Sequence, residues 1–256
     1  MIRTGSTAHG QGHATTFAQI AADELGVDPD DVEVRAGDTA EIPEGVGTFG
    51  SRSVTIGGAA VLQACREVRE RARGVGDGSM SVREAAAAAG GLDASVRFEI
   101  SGPVFPFGAY VATVEIDPGS GVVTVGRIVA VDDPGRVMNP MLAEGQVVGS
   151  TVHGLGEALS EEVVHDAEGQ MLTGSFTQYG ILGAREVPPI ESELQETPSP
   201  LTPLGAKGIG ESGAIAVPAA VANAVADALS PFGVTHVDLP CTPERVWRAI
   251  RDATAG

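Results

Sequence analysis

Apolar side chains recur with a helical period in several parts of the chain. In TTFAQIAADEL, at residues 15–25, apolar residues including Phe17 and Leu25 fall on one face. Either Thr15 or Thr16 can cap the N-terminus of this helix. The same period predicts further helices over residues 54–73, 81–91 and 141–159. It also predicts a helix with Pro218 near its first turn and a terminal helix from Pro243.

A period of two predicts strands in the middle of the chain. The segments are VRFEI at 96–100, AYVATVEID at 109–117 and VVTVGRIVAVDD at 122–133, and a turn at 118–121 joins the last two. Strand-like residues also end near Ala36. Helices and strands that do not alternate regularly indicate an α+β fold. A boundary near residues 92–108 predicts two α+β subdomains, 1–95 and 96–256.

Composition narrows the possible functions. The formal net charge of −18 and the lack of a basic stripe exclude a nucleic-acid role, and the charge disfavours anionic membrane surfaces. We find no apolar run near the roughly 20 residues that span a bilayer. Cys65 and Cys241 lie too far apart for a metal motif, and the N-terminus lacks a secretory pattern. These features predict a cytoplasmic protein in which Cys65 packs inside a helix.

A first glycine-rich loop, residues 9–13, lies directly before the first predicted helix. Its glycines let backbone N–H groups converge at the helix N-terminus, where an anion binds favourably, and Gln11 adds an amide. An ordinary helix cap is the alternative. His9 and His13 invite a metal hypothesis, but no acidic third ligand accompanies them, so we predict no metal ligated by side chains.

A second such loop, GTFGSRS at residues 47–53, also precedes a helix. Two serines, an arginine and free helix N–H groups suit a phosphate or pyrophosphate. The alternative is a serine cap with a solvent-facing arginine. Two anion-ready helix starts within about 40 residues favour one extended anionic ligand.

A third loop, GAKGIGESG at residues 205–213, carries Lys207 and Glu211. An enclosed carboxylate there could act as a general base, whereas the alternative is a surface Lys–Glu pair of little energetic value. The Pro-rich stretch 188–211 that leads into it runs long without predicted secondary structure. Loops of that length in compact domains are usually functional.

Taken together, these segments resemble the molybdenum hydroxylases of the xanthine dehydrogenase, aldehyde oxidase and carbon monoxide dehydrogenase family. GQGHATTFAQIAADELGV, GTFGSRSVTIGGAAV and ETPSPLTPLGAKGIGESG occur in the order and spacing of the last region of the large subunit. AYVATVEIDPGSGVVTVGRIVAVDDPGRVMNP and GLGEAL are similar as well. The resemblance therefore covers nearly the whole chain.

The resemblance implies a molybdenum–molybdopterin site and a catalytic glutamate, Glu211, which acts as general base for hydroxylation with water as oxygen source. The pterin dithiolene, not the protein, would ligate the metal. The GSRS form is closer to bacterial members that use molybdopterin cytosine dinucleotide. The implied cofactor-binding residues are Gln11, Gly12 and His13 with Thr15 and Thr16 behind them, Gly50, Ser51, Arg52 and Ser53 at the phosphate or nucleotide, and Lys207, Gly208, Ile209 and Gly210 beside the metal.

The resemblance also implies partners, because the chain begins abruptly in a Gly-rich region and lacks the family's preceding segment. We expect a partner that supplies the missing N-terminal part of the large subunit, iron–sulfur and FAD subunits, and oligomerisation through an apolar interface. The substrate would be a small molecule: an aldehyde, an N-heterocycle, a purine or carbon monoxide. The alternatives are a truncated scaffold without cofactor and a different anion-binding enzyme that uses a nucleotide.

Overall fold

The computed structural model describes residues 1–255 and divides into two compact units. The first unit combines residues 1–106, 133–143 and 195–209, and the second combines 107–132, 144–194 and 210–256. These units differ from the predicted continuous ranges 1–95 and 96–256, because segments 133–143 and 195–209 return to the first unit. The predicted α+β class is confirmed, because helices and strands follow one another without regular alternation.

Two helices and a short parallel sheet form the first unit. Strands β1 (Ile2–Thr4) and β2 (Val34–Ala36) pair in parallel, with Ile2 opposite Val34. Helix α1 (His13–Leu25) packs on α2 (Ala59–Arg73), and α3 (Val82–Ala88) follows. The apolar core of this unit comprises Phe17, Ile20, Ala21, Val61, Leu62, Cys65, Leu204 and Ala206.

The N-termini of α1 and α2 differ from the predicted ones. Gly12 caps α1 in a left-handed conformation and makes no side-chain cap hydrogen bond, so the expected threonine cap is wrong: Thr15 and Thr16 lie inside the helix. A π-helical turn, Ser53–Gly58, precedes α2 where one continuous α-helix was predicted. Cys65 is buried in α2 as predicted, and burial raises the pKa of its thiol to about 11.

A three-stranded sheet organises the second unit. Strand β3 (Phe107–Ile116), β4 (Val123–Asp133) and β5 (Ile190–Leu194) lie in the order β3-β4-β5, and β4 pairs with β5 in parallel. Helix α6 (Ser212–Leu229) packs on β3. The remaining helices are α4 (Pro140–Leu159), α5 (Phe176–Tyr179) and α7 (Pro243–Thr254).

Three further expectations about secondary structure are wrong. VRFEI at 96–100 forms no strand, because its alternation of apolar and polar residues has no neighbouring strand to pair with. The stretch 188–211 contains strand β5, whose backbone is satisfied by the edge of β4. Pro218 lies inside α6 and not in its first turn, because the helix already begins at Ser212.

Helix α6 also corrects the expectation that no apolar run approaches a membrane-spanning length. Among residues 1–255, Ser212–Phe232 is long and apolar enough to cross a membrane by length and composition, with a mean hydropathy of 1.4. A core helix of a soluble protein passes the same test, and one face of α6 is fully buried through Val217, Val221, Val225 and Leu229. This stretch is therefore weak evidence for a membrane span.

The glycines of α4 were predicted to allow close helix packing, and they do so unequally. A Cβ on Gly154 would lie 2.7 Å from the Gly213 carbonyl oxygen and 2.9 Å from the Val217 Cβ, whereas a Cβ on Gly149 would meet nothing within 4 Å. Only the buried end of α4 thus requires glycine for its contact with α6.

We predict opposite effects from two alanine substitutions in α4. Gly154→Ala should lower the free energy of unfolding by about 1–3 kcal/mol through overpacking. Gly149→Ala should raise it by about 0.5–1 kcal/mol, because alanine restricts the unfolded chain and favours helix. Urea unfolding followed by circular dichroism measures both changes. Equal stability of the two variants would contradict the packing described for Gly154.

Candidate functional site

The first glycine loop takes a conformation that requires its glycines. Gly10 and Gly12 have φ angles of 108° and 78°, in the region that L side chains rarely adopt. A Cβ on Gly12 would also lie only 2.7 Å from Cδ1 of Leu142, which belongs to the same unit. The loop therefore delivers Gln11 and His13 on a tightly constrained backbone.

Gln11 carries an amide that the protein leaves unsatisfied. Its Oε1 accepts a hydrogen bond from the His9 backbone N–H at 2.7 Å, whereas its Nε2 is buried and has no hydrogen-bond partner among the described residues. A buried donor without a partner costs roughly 1–3 kcal/mol. This orphaned N–H is the arrangement expected of a group that donates to a bound ligand.

His13 is a buried, stacked side chain. It is 5% exposed, its ring lies 5.3 Å from that of Phe17, and its Nδ1 is 3.4 Å from the Ser6 carbonyl oxygen. Burial lowers the pKa of His13, against the opposing effect of the Ser6 carbonyl. The neutral imidazole is thus favoured at pH 7, so His13 contributes packing and hydrogen bonding instead of charge.

The second loop is strained at Ser51 and is hydrogen-bonded to the segment just before the first loop. Ser51 has a φ of 52°, the only positive φ of a non-glycine residue among residues 1–255. The Thr48 hydroxyl donates to the Thr7 carbonyl at 2.7 Å and lies 3.0 Å from the Ser53 hydroxyl. Strain of this kind persists where the surroundings over-determine it, often at a ligand site.

Arg52 presents a pre-positioned cation on the same loop. Its guanidinium carbon lies 4.0 Å from the centre of the exposed Phe49 ring, and its Nε donates to the Phe49 carbonyl at 3.3 Å. Arg52 itself occupies the cap position of the π-helical turn, without a side-chain cap hydrogen bond. The predicted alternative, a serine cap, therefore does not describe this loop.

The third loop touches the second within the first unit. A Cβ on Gly208 would lie 1.7 Å from the Ser51 carbonyl oxygen, so no side chain fits at this position. Gly208 and Ile209 are both buried. The close approach of Gly208 to Ser51 joins the GAKG segment to the GSRS segment, which the sequence separates by more than 150 residues.

Asp133 holds the third loop in place. Its carboxylate accepts three hydrogen bonds of 2.9 Å, from the backbone N–H groups of Gly135 and Thr197 and from the Lys207 ammonium. Burial alone would raise the pKa of Asp133, but these donors lower it to about 2. We call this group of four residues the Asp133 clamp.

The Asp133 clamp gives Lys207 a role that the sequence did not reveal. The Lys207 side chain is 6% exposed and that of Asp133 is 14% exposed, so the pair is buried. The expected alternative of a surface lysine is therefore wrong. The one sequence signal for the clamp was an acidic pair, Asp132–Asp133, at the end of an apolar strand and directly before Pro-Gly.

Glu211 lies outside the first unit, as does Gly210. Its side chain is exposed, and its residue caps the N-terminus of α6, where its carbonyl accepts from the Ile215 N–H at 3.1 Å. The predicted site residues of the first unit thus form two groups. The GSRS loop contacts the segment from Lys207 to Ile209, and Gln11 to Thr16 lie around the start of α1. Thr15 is exposed and Thr16 is buried.

Comparison with known proteins identifies a single family. Residues 1–188 match the family described as the molybdopterin cofactor-binding domain. The chain is 37% identical to the nicotine 6-hydroxylase large subunit of Paenarthrobacter nicotinovorans, over 98% of this chain and 35% of that protein. It is 34% identical to the carbon monoxide dehydrogenase large chain of Hydrogenophaga pseudoflava, over 98% of this chain and 36% of that protein.

Solved structures agree in fold. Carbon monoxide dehydrogenase from Oligotropha carboxidovorans superimposes with a TM-score of 0.92 at 33% identity, over 99% of this chain and 36% of that one. Quinoline 2-oxidoreductase from Pseudomonas putida 86 gives a TM-score of 0.90 at 36% identity, over 98% and 36%. The chain therefore spans about a third of the length of the relatives that it matches.

We predict that Asp133→Ala lowers the free energy of unfolding by about 3–5 kcal/mol, because the buried Lys207 ammonium would lose the Asp133 carboxylate. Replacing both partners, in Asp133→Asn with Lys207→Met, should cost less. Glu44→Ala is the matched control, because its pair with Arg97 is 82% and 79% exposed and should contribute less than about 1 kcal/mol. A cost for Asp133→Ala as small as that of Glu44→Ala would contradict the clamp.

The same pair predicts a pH dependence. The folded pKa of Asp133 lies below its ordinary value of 3.8, so its stabilising contribution is fully present above that value. The contribution is lost as the pH falls through about 2. The stability difference between the unmodified chain and Asp133→Asn should therefore shrink between about pH 4 and pH 2 in urea titrations.

Proposed function

The chain belongs to the molybdopterin cofactor-binding family of molybdenum hydroxylase large subunits, and from this premise we propose that it forms part of a hydroxylase active site. It would bind the pterin and provide Glu211 as general base. The reaction would hydroxylate an aldehyde, an N-heterocycle or a similar carbon centre with water as oxygen source. Its relatives include enzymes named for nicotine, quinoline and carbon monoxide.

The observation that carries the proposal is the buried, unpartnered Nε2 of Gln11. A pterin is rich in ring nitrogens and carbonyl oxygens that accept such a hydrogen bond. Because Gly10 and Gly12 adopt positive φ angles, the backbone beside Gln11 can approach a flat ligand closely. The residues of this loop therefore fit the cofactor that the family binds, with His13, Thr15 and Thr16 behind Gln11.

The GSRS loop fits the anionic end of the same cofactor. Gly50 and Ser51 have positive φ angles, which turn successive backbone N–H groups toward one side, and Arg52 supplies a permanent positive charge. Ser53 begins a helical turn whose first N–H groups are available to an anion. We propose that these four residues bind the pterin phosphate, most favourably in its cytosine dinucleotide form.

The backbone of the third loop would shape the site at four residues: Lys207, Gly208, Ile209 and Gly210. The Lys207 ammonium donates to Asp133 and so fixes the loop. Gly208 has no room for a side chain against Ser51, which keeps the loop in contact with the GSRS segment. These residues would thereby hold the chain that continues into Glu211.

The bound molybdenum group would supply the two-electron redox chemistry. Glu211 would accept the proton that water loses as its oxygen is transferred to the substrate carbon. Glu211 is exposed in this chain, which differs from the enclosed carboxylate that the sequence predicted, so the enclosure of the base would have to come from the rest of the large subunit. Its position at the start of α6 gives it a defined backbone. A general base needs both accessibility and orientation.

The chain's length relative to its relatives motivates the partner proposal. Those relatives are large subunits and chains of which it covers about a third. We propose that a partner supplies the remainder of the large subunit and that iron–sulfur and FAD subunits receive the electrons. Exposed apolar residues such as Phe105, Phe176 and Ile215 would contribute to these contacts.

We predict that Glu211→Gln abolishes turnover without emptying the site. In the complex co-expressed with its partner, kcat should fall by at least about 10²–10⁴-fold, the usual contribution of a general base. Molybdenum and pterin content should remain equal to those of the unmodified complex. Assays with quinoline, benzaldehyde and carbon monoxide cover the substrate classes. Full activity of Glu211→Gln would refute the assigned base.

We predict that Gln11→Leu, in contrast, lowers the cofactor content of the complex. The substitution keeps the size of the side chain but removes its amide. The pterin content of the purified complex should fall, because the leucine cannot donate to the cofactor. Without cofactor, the Gln11→Leu chain should lose only about 1 kcal/mol of stability, because the His9 N–H loses its bond to Oε1 whereas Nε2 has no protein partner among the described residues. Gln170→Leu, in an exposed turn, is the control. Unchanged pterin content in Gln11→Leu would argue against the cofactor contact.

A further inference from the structure

Residues 92–104 of the first unit have the exposure pattern of a β-strand but no strand beside them. Exposed and partly buried residues alternate along this segment without interruption. A period of two arises where the backbone is extended and successive side chains point to opposite sides. A Cβ on Gly102 would lie 3.6 Å from Cδ1 of Leu201 in the same unit. The partly buried side is apolar and comprises Leu92, Ala94, Val96, Phe98, Ile100 and Val104.

The backbone of this segment is not paired with another strand. From residue 94 to residue 104, no N–H or carbonyl group takes part in a β-bridge or in a hydrogen bond with another backbone group of the described chain. At the start of the segment, the Asp93 carbonyl accepts from the Arg71 guanidinium. Backbone polar groups are strong hydrogen-bonding groups, and an extended segment without a neighbour presents them in a row. The segment therefore offers an open edge for another strand.

The outward side of the segment is polar, and its central charge is neutralised within the first unit. Arg97 donates to the Glu44 carboxylate at 3.1 Å and lies 3.7 Å from the Glu99 carboxylate. Pro103, which cannot donate to a ladder, limits the strand-like part at its C-terminal end. One apolar side against the protein and one polar side in water are typical of a strand in a sheet that is solvated on one face.

The length and the charge of the chain indicate which strand fits this edge. In two solved relatives, the chain covers only 36% of a single polypeptide, so the greater part of that polypeptide lies outside the matched region and could supply a neighbouring strand. A second copy of this chain fits less well. Each copy carries a formal net charge of −18, and two such molecules repel each other.

We propose that residues 94–100 form one strand of a sheet whose next strand belongs to the part of the large subunit that this chain lacks. The inference rests on the partner named in the proposed function and adds the place and the geometry of the contact. Main-chain hydrogen bonds along one edge would supply the affinity, and alternate side chains would supply the specificity.

Residue-resolved amide hydrogen exchange distinguishes strand addition from simple burial. A strand added at one edge bonds to every second residue of its neighbour. In the chain alone, the amides of residues 94–100 should exchange rapidly and without alternation. In the complex co-expressed with the partner, alternate amides should slow by about 10-fold or more, the factor that corresponds to one ordinary hydrogen bond. Equal rates in the chain and the complex, or uniform slowing of all these amides, would overturn the proposal.

Two neighbouring proline substitutions form a matched pair for the same geometry. Ala94→Pro and Ser95→Pro both replace small side chains, and they remove N–H groups that point to opposite edges. One of them should raise the dissociation constant of the complex by about 10-fold, whereas the other should change it little. Both isolated variants should unfold at nearly the same urea concentration as the unmodified chain, because neither N–H has a backbone partner among the described residues. Equal effects on the complex would contradict pairing along one edge.

Molybdenum content and sedimentation separate this inference from the proposed function. A complex that contains molybdenum but leaves residues 94–100 unprotected would overturn strand addition and support the cofactor role. A complex with alternating protection and no molybdenum would support strand addition and contradict the cofactor role. A dimer of the chain alone, with protection that grows with concentration, would assign the edge to a second copy and overturn the proposed occupant. If no complex forms, the partner proposal fails and strand addition fails with it.

Discussion

The carboxylate of Asp133 connects three segments that are distant in sequence. It accepts hydrogen bonds from Gly135 just after β4, from Thr197 in the Pro-rich segment and from Lys207 in the third loop. A buried charge pair stabilises a structure only when its geometry is good and its remaining polar atoms are satisfied. Here two backbone donors accompany the ammonium, so the buried carboxylate is satisfied. The contact of Gly208 with Ser51, and with it the shape of the proposed phosphate site, depends on this arrangement.

Asp132 and Asp133 show how one strand end can organise two different environments. Successive side chains of a strand point to opposite faces, so the two carboxyls cannot share a partner. Asp133 meets cationic and amide donors, which lower its pKa, whereas Asp132 is buried and accepts from the Tyr110 hydroxyl, and burial raises its pKa. Asp133 thereby fixes the third loop at Lys207, whereas Asp132 fixes the Tyr110 hydroxyl on the neighbouring strand.

The local parts of this account follow from the sequence, and the long-range parts do not. Helical periodicity predicted α1 and the end of α2, and the three ordered motifs identified the family before any fold was known. The Asp133–Lys207 pair was missed because 74 residues separate its members and no pattern within either segment indicates the other. Strand β5 was missed for a related reason, since its backbone is stabilised by pairing with β4 and the Pro-rich flanks conceal it. The threonine cap failed because Gly12 takes the left-handed conformation that ends the preceding loop.

The central claim is that this chain provides part of a molybdopterin site that a partner completes. The most direct measurement is the molybdenum and pterin content of the purified complex between this chain and the protein that supplies the rest of the large subunit. Our account predicts close to one molybdenum and one pterin for each copy of the chain. A stable, well-folded complex that contains neither would contradict it and would leave the chain a scaffold that retains the family fold without its cofactor.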